Sequence, residues 1–255
     1  MKAPTTAIAD LLQRGRDILV FAELLGIRFN PGQIRWLRYA ASTIDGWKWN
    51  WQQTIHVAAN QIGKTLAVAV LILWACFYKI GVDPSNPEGW QSRPYLWFHL
   101  APTQQQAYHA LNDARMLIKG SHPAQGDRCK LSFVENKLVS ETKVATYYDG
   151  LEFWNGAICQ FRTTDDKASA LQGYRASGIS VDEAAFEDHL RVVVNETLMM
   201  RLISTGGPLH MVSTPNGMND YFDFVEDIRK YNDSPEDRVW VDRNGKSAAE
   251  NLQAV

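Results

Sequence analysis

The chain has 255 residues, 45% hydrophobic and 21% charged, a globular composition that excludes a disordered, collagen-like or coiled-coil chain as a description of the whole. With 26 Lys and Arg against 28 Asp and Glu, the formal net charge is −2, so any nucleic-acid contact has to come from a local basic patch. Three widely spaced cysteines, Cys76, Cys129 and Cys159, form no CxxC pair, which argues against a disulfide framework or a zinc module and for a reducing compartment. The N-terminus lacks the apolar stretch of a secretory signal.

Residues 1–50 read as mostly helical, because apolar pairs recur at helical spacing in IADLLQRGRDILVFAELL and QIRWLRYAASTI. Trp47, Trp49 and Trp51 alternate with polar residues, a pattern for an extended segment packing over the core. Residues 52–59 read as a strand, 60–65 as a turn, and 64–80 as an apolar helix. The thirteen-residue run LAVAVLILWACFY falls short of the roughly 18 residues needed to span a bilayer, so this helix should be buried.

A Pro/Gly/Asn loop follows, then a continuous apolar strand over 94–102 and an amphipathic helix over 103–119. Residues 120–150 carry no clear period. VATYYDGLEFW and AICQFRTT flank Asn155-Gly156 and predict an antiparallel hairpin. Buried strands are expected at 177–184 and 206–215, and helices at 188–203 and 218–231. This alternation predicts an α/β fold with a mainly parallel central sheet flanked by helices, the hairpin adding an antiparallel piece. Ligands of such sheets sit at the carboxyl ends of the strands, here the turns after Ala59, Val181 and Val212.

The first of these turns is Ala58-Ala59-Asn60-Gln61-Ile62-Gly63-Lys64-Thr65, a relaxed phosphate-loop pattern with Ala58 in the place of the usual first glycine. Loop and helix N–H groups would face an anion, Lys64 would reach the β- and γ-phosphates of ATP, and the Thr65 hydroxyl would ligate Mg²⁺. The second is Asp182-Glu183, two carboxylates ending a buried strand. Asp182 takes the metal role and Glu183 the role of orienting water; a pair of acids opening a helix is the competing reading. The third is Ser213-Thr214-Pro215-Asn216-Gly217, where hydroxyls at a strand end can sense a γ-phosphate or simply form a capped turn. Upstream, Phe29-Asn-Pro31-Gly-Gln33 offers a carboxamide that can read adenine or open a helix. His56 lies within a strand and reads as a core histidine. The six histidines form no HxxxH pair, which disfavours a transition-metal site.

Gln33, the loop ending in Gly63-Lys64-Thr65, Leu100-Ala-Pro-Thr103, Leu171-Gln-Gly173, Asp182-Glu183 and Ser213-Thr214-Pro215 occur in this order. Over about residues 25–230 the chain thereby resembles the ATPase domain of the large terminase subunit, the DNA-packaging motor of tailed bacteriophages. The resemblance implies an additional-strand (ASCE) P-loop NTPase fold with ATP and Mg²⁺ as cofactors. It makes Gln33 the adenine contact, Lys64 and Thr65 the phosphate and Mg²⁺ ligands, Asp182 the metal-site acid and Glu183 the catalytic glutamate. Ser213-Thr214-Pro215 becomes the element coupling hydrolysis to movement. It further implies double-stranded DNA, a portal protein and a small terminase subunit as partners. The chain would form a homo-oligomeric ring when assembled and be a monomer in isolation, with no membrane, located in the host cytoplasm and transiently at the procapsid portal.

Two departures stand out. Relatives often carry an arginine inside the loop, where this chain has the neutral Asn60 and Gln61; Arg162, Arg175, Arg191 and Arg201 are candidates to act from a neighbouring copy or to be ordinary surface charges. After Tyr231 only about two dozen residues remain, too few for the nuclease of a full large terminase. The expected organisation is an ATPase domain over 1–231, with 1–50 its helical N-terminal part, and a linker-like tail over 232–255 in which Asp233, Glu236, Asp237 and Asp242 are solvated. A helicase-like DNA-dependent ATPase and a non-hydrolysing assembly module are the alternative readings.

Overall fold

The computed structural model describes residues 13–86, 94–129, 132–145 and 148–233. Helix α1 (Ile18–Leu24) is capped by Asp17, whose carboxylate accepts the N–H groups of Leu19 and Val20. Helix α2 (Pro31–Ala40) opens with a reciprocal capping box between Asn30 and Gln33. The expectation of helix through residue 50 needs one correction. Strands β1 (Thr43–Ile44) and β2 (Lys48–Trp49) form a small antiparallel hairpin, where positive φ at Asp45 and Gly46 makes the turn. It seats Trp49 in the core against Trp74, Trp97 and His210.

Strand β3 (Gln53–Val57) leads into α3 (Lys64–Tyr78). Every residue of α3 from Ala67 to Phe77 is buried, which accounts for the apolar run; among the described residues no helix is long and apolar enough to cross a membrane. Strand β4 (Leu96–Ala101) and helix α4 (Gln104–Lys119), the latter capped by Thr103 and Gly120, fall where the sequence places them.

The hairpin around Asn155-Gly156 is β6 (Tyr148–Phe153) and β7 (Ile158–Thr163). A strand without a sequence signal, β5 (Val139–Ala145), extends it, while β7 pairs parallel to β4 and joins the hairpin to the main sheet. Strand β8 (Gly178–Asp182), a helix over residues 190–202 (α5) with a π turn at Val193–Leu198, strand β9 (Leu209–Ser213) and helix α6 (Asp220–Asp233) complete the fold. The expected tail over 232–255 lies almost wholly outside the described residues.

The seven-stranded sheet runs β3-β9-β8-β4-β7-β6-β5, parallel from β3 to β7. Strand β9 is inserted between β3 and the acid-bearing strand β8. Each face has its own core. Helices α1 to α4 pack on one face with Trp97, Cys159 and Val212. Helices α5 and α6 pack on the other with Phe98, Ile179, Val181, Leu209 and Met211. Alternate residues of β4 and β9 enter opposite cores, as the two-residue period of a strand requires.

One sheet position tolerates no side chain. A Cβ on Gly178 would lie 2.1 Å from Cζ3 of Trp97, the residue it pairs with across β8 and β4. Trp97 is fully buried and its indole N–H donates to the Ser180 hydroxyl, so the ring cannot retreat without breaking that bond. Gly178→Ala is expected to destabilise the fold by about 3 kcal/mol, read as a lowered midpoint in chemical denaturation.

Candidate functional site

The turn between β3 and α3 is shaped by its backbone. Gly63 takes a left-handed conformation (φ +78°), and so does Gln61 (φ +61°). A Cβ on Gly63 would meet the Gln33 amide nitrogen at 2.6 Å, so glycine is required there for both reasons. The loop starts where the Ala58 N–H donates to the Ser213 carbonyl (3.1 Å), fixing it to the end of β9. Ala59, Asn60 and Gln61 are exposed, and Ile62 is half-buried. Lys64 is buried, and its ammonium donates to the carbonyls of Ala59 (3.1 Å) and Ala58 (3.5 Å).

Helix α2 braces the far side of this loop. The Gln33 amide donates to the Gly63 carbonyl (2.8 Å) and accepts from the Asn30 N–H (2.9 Å). The Asn30 side chain donates to the Ile62 carbonyl (3.4 Å). Trp36 stacks on His56 of β3 with ring centres 5.2 Å apart. Burial and the nearby Lys64 charge both lower the His56 pKa, so the ring stays neutral. The structure thus places Gln33 in a brace that grips the loop. Asn30, which sequence reasoning passed over, belongs to the same brace, and its signal was the N-cap position three residues before Gln33.

Across the loop, at the carboxyl end of β8, Asp182 is 3% exposed. Its carboxylate accepts the Thr65 hydroxyl (2.8 Å) and the Glu183 N–H (2.9 Å). Burial pushes its carboxyl up to about 6 against these hydrogen bonds, and the neighbouring Glu183 charge adds to the rise. Glu183 itself sits in the left-handed region (φ +49°), a sparsely populated conformation for this residue type. That turn aims its carboxylate at β9, where it accepts from the hydroxyls of Ser213 (3.2 Å) and Thr214 (3.3 Å).

The Ser213 oxygen also accepts the Ala185 N–H (3.1 Å). Asn216 and Asn219 both donate to the Ala185 carbonyl (3.2 and 2.7 Å). The Tyr221 hydroxyl donates to the His56 carbonyl (2.9 Å), tying the first turn of α6 to the loop strand. Asn219 and Tyr221 have no sequence signal beyond following the Ser-Thr-Pro turn. The candidate residues of three separate turns therefore meet at the ends of β3, β8 and β9.

The four arginines are spread out. Arg162 is buried between the rings of Phe98 and Tyr174, at 5.4 and 5.2 Å from their centres. Arg191 lies over Phe224 and pairs with Asp227 (3.4 Å). Arg175 is exposed, and Arg201 is half-buried near the end of α5. Among the described residues no cluster of three His, Cys, Asp or Glu side chains gathers. One hydroxyl and one carboxylate in hydrogen-bond contact, Thr65 and Asp182, are nevertheless an oxygen donor set suited to a small divalent cation that takes its remaining ligands from water and phosphate. What the arrangement offers is an anion cradle at a helix N-terminus, an oxygen pair for a cation, and a carboxylate held beside both.

Because burial raises the Asp182 pKa from 3.8 to about 6, the folded chain binds more protons than the unfolded chain over this range. Its stability should therefore fall as pH rises from about 4 to 6 and level off above. Asp182→Asn removes the penalty. In chelator at pH 7 the variant is expected to be more stable than the parent, by an amount approaching roughly 3 kcal/mol, with the difference vanishing below pH 4. Thermal melts across pH read this directly.

No family model matches this sequence, and no curated protein matches it. Solved structures do. The chain is similar to the ATPase domain of the Thermus phage P74-26 large terminase, with 19% identity and a TM-score of 0.54 over 80% of this chain and 72% of that one. It is similar as well to the HK97 bacteriophage large terminase, with 18% identity and a TM-score of 0.59 over 86% of this chain and 42% of that one. At these identities the likeness concerns the fold alone, an α/β domain built on a mainly parallel sheet.

Proposed function

We propose that this chain is a Mg²⁺-dependent ATPase that drives double-stranded DNA into a viral capsid, the motor part of a large terminase. One observation carries the reading: Thr65 and Asp182 share a hydrogen bond beside the phosphate loop, while Ser213 and Thr214 hold the Glu183 carboxylate at the same strand ends. The fold shared with two phage large terminases supports the motor assignment.

The ATP phosphates lie against the N–H groups of residues 58–65. Lys64 leaves the carbonyls of Ala58 and Ala59 and donates to the β- and γ-phosphate oxygens. Thr65 and Asp182 would hold Mg²⁺, which when bound offsets phosphate charge. Glu183 orients the attacking water and accepts its proton, and Ser213 and Thr214 fix its carboxylate against rotation. Lys64 and the loop amides stabilise the charge that develops on the γ-phosphoryl oxygens. Because Ser213 also bonds the Ala185 N–H, and Asn216 and Asn219 bond the Ala185 carbonyl, a change at Glu183 is transmitted to the turn ahead of α6. This is the coupling route we assign to Ser213-Thr214-Pro215.

The assembly is a homo-oligomeric ring on a portal protein, with a small terminase subunit delivering DNA in the host cytoplasm. The neutral Asn60 and Gln61 favour a site completed by an arginine of a neighbouring copy, and keep the non-hydrolysing assembly module as the second reading. The experiment is phosphate release by the chain assembled on portal-bearing procapsids with double-stranded DNA. DNA-stimulated turnover supports the motor; ATP binding without turnover in that assembly moves the assembly module ahead.

A further inference from the structure

The charge of the chain is unevenly placed along it. Residues 1–48 hold seven Lys and Arg against four Asp and Glu, a net of +3, and the rest of the chain carries −5. Within the basic part, helix α2 separates two faces. Gln33, Trp36, Leu37 and Ala40 are buried, while Arg35 and Arg38 are exposed on the opposite side with Pro31 and Gly32. The helix contains no acid. Arg28 is exposed in the segment that leads into it. Among the described residues none of these three guanidiniums has an ion pair or a hydrogen bond. Other cations are engaged: Arg191 pairs with Asp227 (3.4 Å), Arg229 with Glu226 (2.8 Å), and Arg128 donates to the carbonyls of Gly26 (3.2 Å) and Ala124 (2.6 Å).

We propose that the exposed face of α2 is the DNA-contacting surface of this chain, with Arg35 and Arg38, assisted by Arg28, gripping the phosphates of a double-stranded DNA. The inference rests on the packaging-motor reading for the identity of its partner. Residues three apart on a helix are neighbours, so Arg35 and Arg38 present two guanidinium forks side by side. Each fork can take a phosphate bidentately. Neither gives up a protein partner on binding. Contacts to phosphates carry no sequence information, as a motor that moves along DNA of any sequence requires. The acidic face of a second copy is the competing partner of opposite charge. The acids of α6 already have Arg191 and Arg229 of their own chain, which favours the DNA.

The buried face of the same helix is fastened to the candidate site. Gln33 holds the Gly63 carbonyl of the phosphate loop (2.8 Å). Trp36 stacks on His56, whose carbonyl accepts the Tyr221 hydroxyl of α6 (2.9 Å). The guanidiniums and the loop therefore sit on opposite faces of one helix of ten residues. A displacement of the loop, or of the turn ahead of α6, is carried by these contacts to Arg35 and Arg38.

The test is binding of a fluorescent DNA duplex of mixed sequence, about 30 base pairs long, to the full chain across a salt series. Arg35→Ala/Arg38→Ala is expected to weaken binding at least about tenfold at roughly 50 mM salt and to reduce the slope of log affinity against log salt by about 1.8. Arg35→Lys/Arg38→Lys is expected to keep that slope, because both charges remain, and to lose part of the affinity with the planar forks. Arg229→Ala/Lys230→Ala lowers the net charge equally and is expected to leave the slope unchanged and the affinity within about twofold. Calorimetric affinity for Mg²⁺-ATP should stay at the parent value in all three. Unchanged duplex affinity and slope in Arg35→Ala/Arg38→Ala would overturn the surface and leave the motor reading standing. A parent chain that binds ATP but no duplex would remove both. Lost ATP affinity in the alanine pair would assign the arginines to the nucleotide instead. Lost self-association in sedimentation, with duplex binding kept, would assign them to a second copy.

Discussion

Glu183→Gln is expected to lower ATP turnover by about 10²- to 10⁴-fold while leaving ATP affinity within about twofold of the parent. The substitution is nearly isosteric. The amide oxygen still accepts from the Ser213 and Thr214 hydroxyls, so the held geometry survives. What is lost is the capacity to accept a proton from water and the negative charge that polarises it. Glu183 occupies a left-handed backbone position, which costs on the order of 1–3 kcal/mol for a residue other than glycine and persists only where the surroundings over-determine it. Here the surroundings are the Asp182 carboxylate on the Glu183 N–H and two hydroxyls on its side chain.

A residue held in that conformation by partners on two strands fits the water-orienting role proposed for it. Phosphate release and calorimetric ATP binding, measured on the same assembled preparation, separate the outcomes. Turnover near the parent level would remove Glu183 from the water-activating role. Lost affinity would show that the carboxylate shapes the loop instead.

The layers of the fold were legible because burial imposes period. Residues 94–102 are apolar but for His99, and β8 is buried at every position although it carries Ser180 and Asp182, since helices cover both faces of the parallel strands β4 and β8. Asn155-Gly156 marked its hairpin because glycine accepts the positive φ of the turn. Strand β5 gave no signal: VSETKVA, at the sheet's far edge, mixes polar and apolar residues without a regular alternation. Of the hairpin β1–β2, only β2 was legible, in the Trp47/Trp49/Trp51 alternation; β1, with two residues, is too short to express a period.

At the site, Lys64 and Thr65 could be named from the Gly-Lys-Thr that opens an apolar helix, and Asp182 and Glu183 because two carboxylates are unusual at the end of a buried strand. Gln33 shows the limit of such naming. The sequence gives a carboxamide that can donate and accept, but only the fold decides that its partners are the Gly63 carbonyl and the Asn30 N–H. The brace by Asn30 and the hub at the Ala185 carbonyl join side-chain amides to backbone carbonyls of other segments, and an accepting carbonyl carries no sequence signature.

Lys64→Ala is expected to weaken ATP binding by about 100-fold or more without lowering the stability of the nucleotide-free chain. The two halves of this expectation come from one placement. Lys64 is 5% exposed and sits at the first turn of α3, where the helix dipole is positive, an unfavourable position for a cation. Its hydrogen bonds go to two neutral carbonyls, Ala58 and Ala59, and its charge acts only weakly on the Asp182 carboxylate, the smallest of the causes shifting that group. Removing it relieves a desolvated charge and loses two weak tethers of an exposed loop, so the apo melting temperature should hold or rise.

A polyphosphate reverses that balance, because its oxygens supply the negative charge the ammonium lacks. A hydrogen bond to a charged partner contributes about 1.5–3 kcal/mol, and loss of one or two accounts for the expected drop in affinity. Calorimetry with Mg²⁺-ATP, paired with thermal melts in the absence of nucleotide, reads both quantities. A lysine that merely braced the loop would give the opposite pattern, with the melting temperature falling and affinity following only as far as folding does. ATP binding by the variant within about threefold of the parent would remove the phosphate role from residues 58–65 altogether.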